Sequence, residues 1–497
     1  MKLLVVIAIF ACLPVRAETP LIEAIQKGEP ERVRTLIKNQ TDLNATTADG
    51  ATALHWAIQK NDAATADLLL SAGASATATN RYGVTPLWIA CQNGNSRIVE
   101  KLLSAGADAN TRLRDGETVL MTAARTGNLT LVKALLAAGA DVNSKEKRGQ
   151  TAVMWAAAEG HAEVLEVLIK AGADFRKPLD GGFTPLFFAV REGKTDVVKA
   201  LLKAGVDVNE AMDPKRRAGR GPQDGMTPLL MAVENGHFEL AIDLVKAGAN
   251  PNDQRGGYTA LHNISWVRKP DNGESEEGMP PPAGSGKLSS LEFVREIVKL
   301  GADVNARIEK GRGGLGVLNR KGATPFLLAA KTADVELLKV LYALGADPTI
   351  TTSDGVTPLI AAAGLGTLAA GEVAGTEDEV LAACEWLLKV GQDVNAVDKN
   401  GETAMHAAAY KNLPKVVEFL AANGAKIDIW NQKDVHGWTP LLIAEGFRPG
   451  NFKPSFETIA AIHKVMLAAG MTPPPPTSAE GINNSDFGPR EKKYFGK

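Results

Sequence analysis

The amino-acid sequence predicts an all-α protein made of about twelve helix-turn-helix repeats joined by finger turns. One reason is a fixed period, because the strings "DGATALHWAI" (49–58) and "YGVTPLWIAC" (82–91) place two threonines 33 residues apart. A second reason is the Gly that stands two residues before each of these threonines, and a third is the short apolar run that follows. A repeated step of this size is the mark of a repeat architecture. The step joins Thr52, Thr85, Thr118, Thr151 and Thr184.

A single unit shows how the repeat is built. Thr85 can cap a helix with its hydroxyl, and Pro86 suits the first helical turn, where an amide hydrogen needs no partner. The string "LWIAC" supplies one short apolar helix that ends near Gly94. The string "SRIVEKLLSAG" then has the three-and-four spacing of an amphipathic helix, which Gly106 ends. Each unit is therefore predicted to run turn, helix, turn, helix and loop.

Stacking of units is a consequence of helix length. Neither predicted helix is long enough to be stable in water by itself, so each must bury its apolar face on the next unit. Counting the capping threonines gives twelve units, and eleven of the twelve have a Gly two residues earlier. The threonines are Thr19, Thr52, Thr85, Thr118, Thr151, Thr184, Thr227, Thr259, Thr324, Thr357, Thr403 and Thr439.

These strings resemble a known family. "TALHWA", "TPLWIA", "TPLFFA", "TPLLMA" and "TAMHAA", joined to "AGADVN" and "LGADVN", resemble the ankyrin repeat over residues 18–470. The resemblance implies an ankyrin-repeat solenoid whose finger tips and first helices form a concave surface that binds protein partners. It also implies the exposed positions: the two residues before the turn Gly, the residue between Gly and Thr, and the end of the first helix.

Departures from the period locate insertions. Longer fingers are predicted at residues 210–225 and 307–322. Extra residues between the two helices of a unit are predicted at 269–287, 366–378 and 447–455.

The two ends of the chain differ from the array. Lys2, an apolar run and the string "VRA" at 15–17 predict a signal peptide over residues 1–17, cleaved between Ala17 and Glu18. The expected location is therefore extracytoplasmic, either periplasmic or secreted. A lipid anchor on Cys12 is the alternative, although Phe10 is bulky where a bacterial lipobox has a small residue. The Pro-rich residues 471–497 are predicted to be a disordered tail.

A search for chemistry finds no HExxH, CxxC, GxSxG or P-loop string, so we predict no catalytic residue, no metal site and no cofactor. His55, His262 and His406 recur at one position of the repeat, which favours a structural hydrogen bond near the turn. Cys91 and Cys384 lie in apolar strings and are predicted to be core residues.

Candidate partner-binding residues lie on the fingers. The residue four before the capping Thr is mostly basic, as at Arg255 and Arg320, and the longer fingers add Arg216, Arg217 and Arg312. The residue just before the Thr is large in three consecutive units. Large side chains beside Arg are typical of binding hot spots. The predicted set is Phe183, Met226, Tyr258, Arg216, Arg217, Arg255, Arg312 and Arg320. The alternative is that the basic residues are solvated and the large ones pack on neighbouring fingers.

The leading functional hypothesis is an exported, non-enzymatic, monomeric scaffold that binds a protein partner, with the basic fingers favouring an acidic one. A secreted effector that acts on host proteins is the alternative within binding. An enzyme or a carbohydrate-binding protein that uses the insertions is the alternative from another class. Export and a net charge of -2 disfavour nucleic acid, and the apolar N-terminal run is too short to span a membrane.

Overall fold

The computed structural model describes residues 19–213, 224–271, 280–311, 318–371, 373–448 and 453–476. The predicted signal peptide, its cleavage site at Ala17 and Glu18, and Cys12 lie outside these residues, as does most of the predicted tail. Within them the chain is helical, apart from two isolated bridges at Thr46–Thr52 and Arg112–Thr118. The all-α prediction is confirmed.

The described residues divide into two compact units, 19–206 and 207–476. In the first unit, each predicted repeat contributes an inner helix that follows the capping Thr and an outer helix that follows it. The helices are α1 (Pro20–Lys27), α2 (Pro30–Lys38), α3 (Ala53–Gln59), α4 (Ala63–Ser71), α5 (Pro86–Gln92), α6 (Ser96–Ser104), α7 (Val119–Thr126), α8 (Leu129–Ala137), α9 (Ala152–Glu159), α10 (Ala162–Lys170), α11 (Pro185–Arg191) and α12 (Thr195–Lys203).

The second unit repeats the arrangement and adds one short helix, α23, in a finger. Its helices are α13 (Pro228–Glu234), α14 (Phe238–Lys246), α15 (Ala260–Arg268), α16 (Ser290–Lys299), α17 (Pro325–Lys331), α18 (Val335–Ala343), α19 (Pro358–Ala363), α20 (Glu377–Lys389), α21 (Ala404–Lys411), α22 (Pro414–Ala422), α23 (Ile427–Trp430), α24 (Pro440–Ala444) and α25 (Phe456–Ala468).

Each of the two compact units has two layers of helices. Successive inner helices contact one another, as α15 contacts α17 and α17 contacts α19, and successive outer helices do the same, as α16 contacts α18. The core lies between the layers and is rich in small and aliphatic side chains, because closely packed short helices leave little room for larger ones. Cys91 and Cys384 are buried free thiols in this core, as predicted, and burial raises the pKa of each to about 12.

The turn glycines and capping threonines have their predicted conformations. All eleven glycines that precede a capping Thr by two residues have positive φ, between 80° and 96°. All twelve predicted threonines stand at the N-cap of an inner helix, and in several units the hydroxyl accepts the amide hydrogen three residues later, as Thr324 does from Leu327 at 3.2 Å. These two residue types therefore fix the geometry of each finger relative to its helix.

Candidate functional site

The finger turns are closed by a recurring main-chain pair. The amide of Asn80 donates to the carbonyl of Val84 at 3.0 Å, and the amide of Gly83 donates back to Asn80 at the same distance. The longer fingers keep this closure, since Ile308 pairs with Ala323 and Gly322 in the same way. An insertion therefore lengthens the finger without changing how its base joins the inner helix.

The residue four before the capping Thr is exposed in every described finger except the one before Thr357, where Ser353 is half-buried. In the first unit these residues are Ala48, Arg81, Arg114, Lys147 and Asp180, and in the second they include Arg255 and Arg320. Exposed turn positions of this kind carry few packing constraints, so their side chains can vary from repeat to repeat. We call this position, four residues before the capping Thr of each repeat, the finger column.

The recurring histidines have the structural role that the sequence predicts. In His262, Nδ1 accepts from the Thr259 amide at 3.2 Å and lies 2.8 Å from its hydroxyl, while Nε2 lies 3.1 Å from the carbonyl of Ala323 in the next finger. Because the Thr259 amide can only donate, Nδ1 is unprotonated and Nε2 carries the hydrogen. His55 and His406 make the same contacts in their own units. These side chains join neighbouring fingers.

The residue just before the capping Thr is less exposed than predicted. Met226 is 2% exposed, so the expectation that it presents a large side chain to a partner is wrong. In this long finger the Met212 amide donates to the Met226 carbonyl at 2.9 Å, and the Met212 side chain is itself buried. Val356, Glu402 and Trp438 stand at the same repeat position and are also buried. This position faces the interior of the finger more often than solvent.

Phe183 lies in the first unit and is half-buried. Its ring lies 5.1 Å from that of Phe188 and 6.4 Å from that of Phe187, and the guanidinium of Arg191 covers it at 5.1 Å. One face of the ring is therefore used for packing, and a partner could reach only the remainder.

Tyr258 and Arg320 are brought together by a residue that the prediction did not include. The Tyr258 ring packs edge-on against Trp266 at 5.2 Å, and the Arg320 guanidinium lies over the same indole at 4.8 Å. The Tyr258 hydroxyl donates to Glu234 Oε1 at 2.7 Å, which fixes the ring. Arg255 stands apart from this group, held by Asp253 and by the carbonyl of Asn209 at 2.6 Å.

This aromatic and basic group forms one side of a cleft of about 440 Å³ in the second unit. Two fingers, the ends of α15 and α17, and the insertion between α19 and α20 supply its walls. The apolar lining is Ile308, Leu318, Leu328 and Val373, and the polar lining includes Tyr258, Trp266, Asp271, Lys310, Arg320, Lys331 and Thr332. Three of these side chains are cationic and one is acidic. The cleft is the candidate binding site of this unit.

Lys331 is the most perturbed charge in the cleft. Its Nζ donates to the carbonyl of Leu365 at 2.6 Å, and no acidic oxygen of the described chain lies within salt-bridge distance of it. Burial and, to a smaller extent, the nearby positive charge of Lys411 together lower the pKa of Lys331 to about 7, although the carboxylate of Asp271 opposes the shift. An anion beside this ammonium would favour its charged form and so oppose the lowering of its pKa.

A signal for Trp266 and Lys331 was present in the sequence. Both stand seven residues after a capping Thr, at the end of the inner helix, which the family resemblance marks as exposed. Glu234, the partner of Tyr258, stands at the same position one unit earlier. The variation of this position from repeat to repeat therefore indicates all three residues.

Three predicted residues, Arg216, Arg217 and Arg312, lie outside the described residues. In the part of the chain that is described, no group of His, Cys, Asp and Glu has the geometry of a metal site. Over the same ranges, no helix is both long enough and apolar enough to span a membrane.

Paired helices in two layers, joined by fingers whose Gly, Thr and His recur at fixed positions, define a helical repeat protein. The sequence matches the profile for "Ankyrin repeats (3 copies)" over residues 2–80, 21–113, 62–146, 120–212 and 373–451, and that for "Ankyrin repeats (many copies)" over 186–245. These matches extend over more than half of the chain, and it belongs to the ankyrin repeat family.

Similar curated proteins share the repeats over part of their length. The chain is 30% identical over 129 residues to the probable 26S proteasome regulatory subunit p28 of Saccharomyces cerevisiae, covering 25% of this chain and 50% of that protein. It is 35% identical over 153 residues to human neurogenic locus notch homolog protein 2, covering 30% of this chain and 5% of that one. It is 44% identical over 57 residues to chicken inversin, covering 12% and 5%. The chain thus spans half the length or less of these relatives.

Proposed function

We propose that the chain is an exported, non-enzymatic scaffold that binds a protein partner through its finger tips and the ends of its inner helices. The observation that carries this proposal is the separation of roles within each repeat. The repeated Gly, Thr and His residues form the turns, the helix caps and the hydrogen bonds between fingers. The finger column varies from repeat to repeat and is exposed in all described fingers but the one with Ser353. Stability and recognition are therefore assigned to different residues, which is how repeat proteins bind partners.

The similar proteins support a binding role. The yeast relative is named as a regulatory subunit of the 26S proteasome, and the matched segment makes up half of it. A repeat segment that occurs within a subunit of a larger assembly is consistent with recognition of other proteins rather than with catalysis.

The binding surface that we propose differs from the predicted set in one residue. Tyr258, Arg320 and Arg255 remain candidates in the second unit, and Phe183 remains one in the first. Met226 is removed because its side chain is buried. Arg216, Arg217 and Arg312 remain candidates on the strength of the sequence alone.

Export rests on the N-terminal sequence. Residues 1–17 have the charged start, apolar run and small-residue end of a signal peptide. N-terminal sequencing of material from the extracytoplasmic fraction tests this directly. A chain that begins at Glu18 supports cleavage after Ala17, a lipidated chain that begins at Cys12 supports an anchored form, and an uncleaved chain in the cell interior contradicts export.

The binding role is tested by affinity capture from the exported fraction, with the chain lacking residues 1–17 as bait, followed by titration of each captured protein after purification. We expect Tyr258→Ala to weaken binding by about 1–2 kcal/mol, as for an interface aromatic residue. Lys299→Ala changes an exposed residue of the outer helix α16 and is the matched control. If a purified partner binds both variants and the parent equally, its binding site does not include the fingers of the second unit around Tyr258.

A further inference from the structure

The cleft of the second unit is built by insertions rather than by the plain repeat. Its walls include Ile308 and Leu318 from the long finger before α17, and Gly366 and Val373 from the insertion between α19 and α20. A unit of 33 residues has neither segment. The cleft is therefore a feature of this chain in particular, and what it binds must be read from its own lining.

Charge is unbalanced in this lining. Lys310, Arg320 and Lys331 face a single acid, Asp271. Among the described residues none of the three cations has an ion pair, whereas the neighbouring Arg255 is paired with Asp253. Just beyond the cleft, Lys411 is buried, with its Nζ on the carbonyl of Ala374 at 2.6 Å, and its charge adds to the positive potential at Lys331. The unsatisfied charge is positive, and the complementary ligand is an anion.

The aromatic side of the cleft is already ordered. Trp266 is held between the Tyr258 ring and the Arg320 guanidinium, and Tyr258 is held by Glu234. An apolar group that packs on Trp266 would therefore immobilise few side chains that are not already fixed, which lowers the entropic cost of binding. A ligand that joins an anion to an apolar group would use both sides of the cleft.

We infer that this cleft binds an acidic peptide segment of a protein partner, with a carboxylate between Lys331 and Arg320 and an adjacent apolar side chain against Trp266. The inference rests on the proposed scaffold function and narrows it to one site and one ligand chemistry. A carboxylate fits because it accepts from an ammonium and a guanidinium together, and charge-assisted hydrogen bonds of this kind are the strong ones. A volume of about 440 Å³ accommodates a few side chains of a peptide rather than a folded domain.

Selection of a random-peptide phage library on the full chain tests the inference. We expect the enriched peptides to carry Asp or Glu next to an aromatic or aliphatic residue. Synthetic copies of these peptides, titrated by fluorescence anisotropy, should bind Lys331→Gln and Arg320→Gln about tenfold more weakly than the parent. Lys331→Arg should retain most of the affinity because it keeps the charge.

Lys299→Gln is the matched control, because it removes one positive charge from an exposed position of the outer helix α16 and Lys299 does not line the cleft. It should leave the affinity within about twofold of the parent. Thermal melts identify any variant that fails to fold. If Lys331→Gln fails to fold, the peptide affinities of Lys331→Arg and Arg320→Gln still test the inference. Enriched peptides without acids, no enrichment, or equal binding to parent and cleft variants would each overturn the inference.

The protonation of Lys331 provides a second readout. Lys411, Asp271 and Arg320 are the charged groups that act on it, and its pKa of about 7 means that it loses its charge as the pH rises through neutrality. Peptide affinity of the parent should therefore fall between about pH 6 and about pH 8.5, whereas that of Lys331→Arg should fall much less. Equal pH profiles of peptide affinity for the parent and Lys331→Arg would show that Lys331 does not contact the carboxylate.

Two further outcomes separate the inference from related possibilities. Titration with glutarate alone, followed by calorimetry, tests whether the cleft is a small-molecule site. If glutarate binds in a way that depends on Lys331 and no peptide binds, the ligand is not a peptide and the inference is contradicted. Protein partners captured equally by the parent and by Arg320→Gln would leave the scaffold function intact and refute this cleft as its site.

Discussion

The side-chain amide of Asn252 donates to the main-chain oxygen of Gly301 at 2.9 Å, so that one repeat holds the end of the next outer helix. The Asn252 Oδ1 also accepts from the Asp303 amide at 2.7 Å. The same double contact recurs within each compact unit, made by Asn110, Asn143, Asn209, Asn305 and Asn395. Each of these asparagines satisfies a carbonyl at a helix end that no intrahelical bond can reach.

We therefore expect Asn252→Ala to lower the free energy of unfolding by about 1–2 kcal/mol, because it removes two hydrogen bonds between repeats. Asn423→Ala removes an exposed Asn whose side chain bonds only within its own helix end, to Phe419, and should cost less. Urea unfolding followed by circular dichroism compares the two variants. Equal losses would show that the contact between repeats contributes no more than a local one.

A pair of turn glycines separates backbone conformation from steric crowding. Gly225 and Gly257 have φ values of 80° and 96°, so Ala is disfavoured at both. A β-carbon at Gly225 would lie 2.2 Å from the carbonyl oxygen of Arg255, whereas one at Gly257 would meet no atom within 4 Å. We expect Gly257→Ala to cost about 1–2 kcal/mol and Gly225→Ala to cost clearly more, as measured by urea unfolding. Similar losses would indicate that the two fingers move apart without cost.

The sequence predicted the local conformations well and the side-chain environments less well. Gly, Thr and Pro have strong backbone preferences, so one unit is enough to place the turn and the cap, and His262 follows from its spacing to Thr259. The burial of Met226 is not predicted, because fingers that close alike differ in the exposure of this position: Met226 is buried, whereas Phe183 is half-buried. Burial there depends on the surrounding side chains, which the repeat pattern does not specify.

The candidate cleft could be predicted only in part. Tyr258 and Arg320 stand at finger positions, where their size and charge are typical of a binding surface. Trp266 and Lys331 stand at the ends of inner helices, and the predicted set contains no residue from that position. That these four side chains share one cleft depends on two insertions, and the positions of insertions in space cannot be read from a period.

The buried histidines predict sensitivity to acid. Burial lowers the pKa of His262 and of His406 to about 4, against about 6.5 for an unfolded histidine. Between these values the unfolded chain binds protons that the folded chain does not, so stability is full above about pH 6.5 and is lost as the pH falls toward 4. Met121 occupies the equivalent position after Thr118, where its sulfur lies 3.4 Å from the Thr118 amide, so methionine is compatible with the turn. His262→Met should flatten the dependence of the free energy of unfolding on pH over this range, as measured by urea titrations at several pH values. An unchanged slope would mean that His262 is protonated in the folded state.

Glu402 predicts the opposite dependence on pH. It stands just before Thr403, is 4% exposed, and its Oε1 has no hydrogen-bond partner among the described residues. Burial and, to a smaller extent, the nearby carboxylates of Asp398 and Asp434 together raise the pKa of Glu402 to about 8. The folded chain therefore keeps a proton that the unfolded chain releases near its ordinary pKa of about 4.3, and stability falls as the pH rises from that value to about 8.

Glu402→Gln keeps the shape of the side chain and cannot ionise. We expect it to change the free energy of unfolding little at about pH 5, where Glu402 is protonated in the folded protein, and to increase it at about pH 8.5, where the parent must bury an anion beside Asp398 and Asp434. Glu457→Gln removes one acid from an exposed position of α25 and controls for the change in net charge. Urea unfolding of the parent and both variants at the two pH values gives the comparison. Loss of stability in Glu402→Gln at the higher pH would show instead that the ionised carboxylate is stabilised by its surroundings, and that the three acids of these two neighbouring fingers do not repel one another.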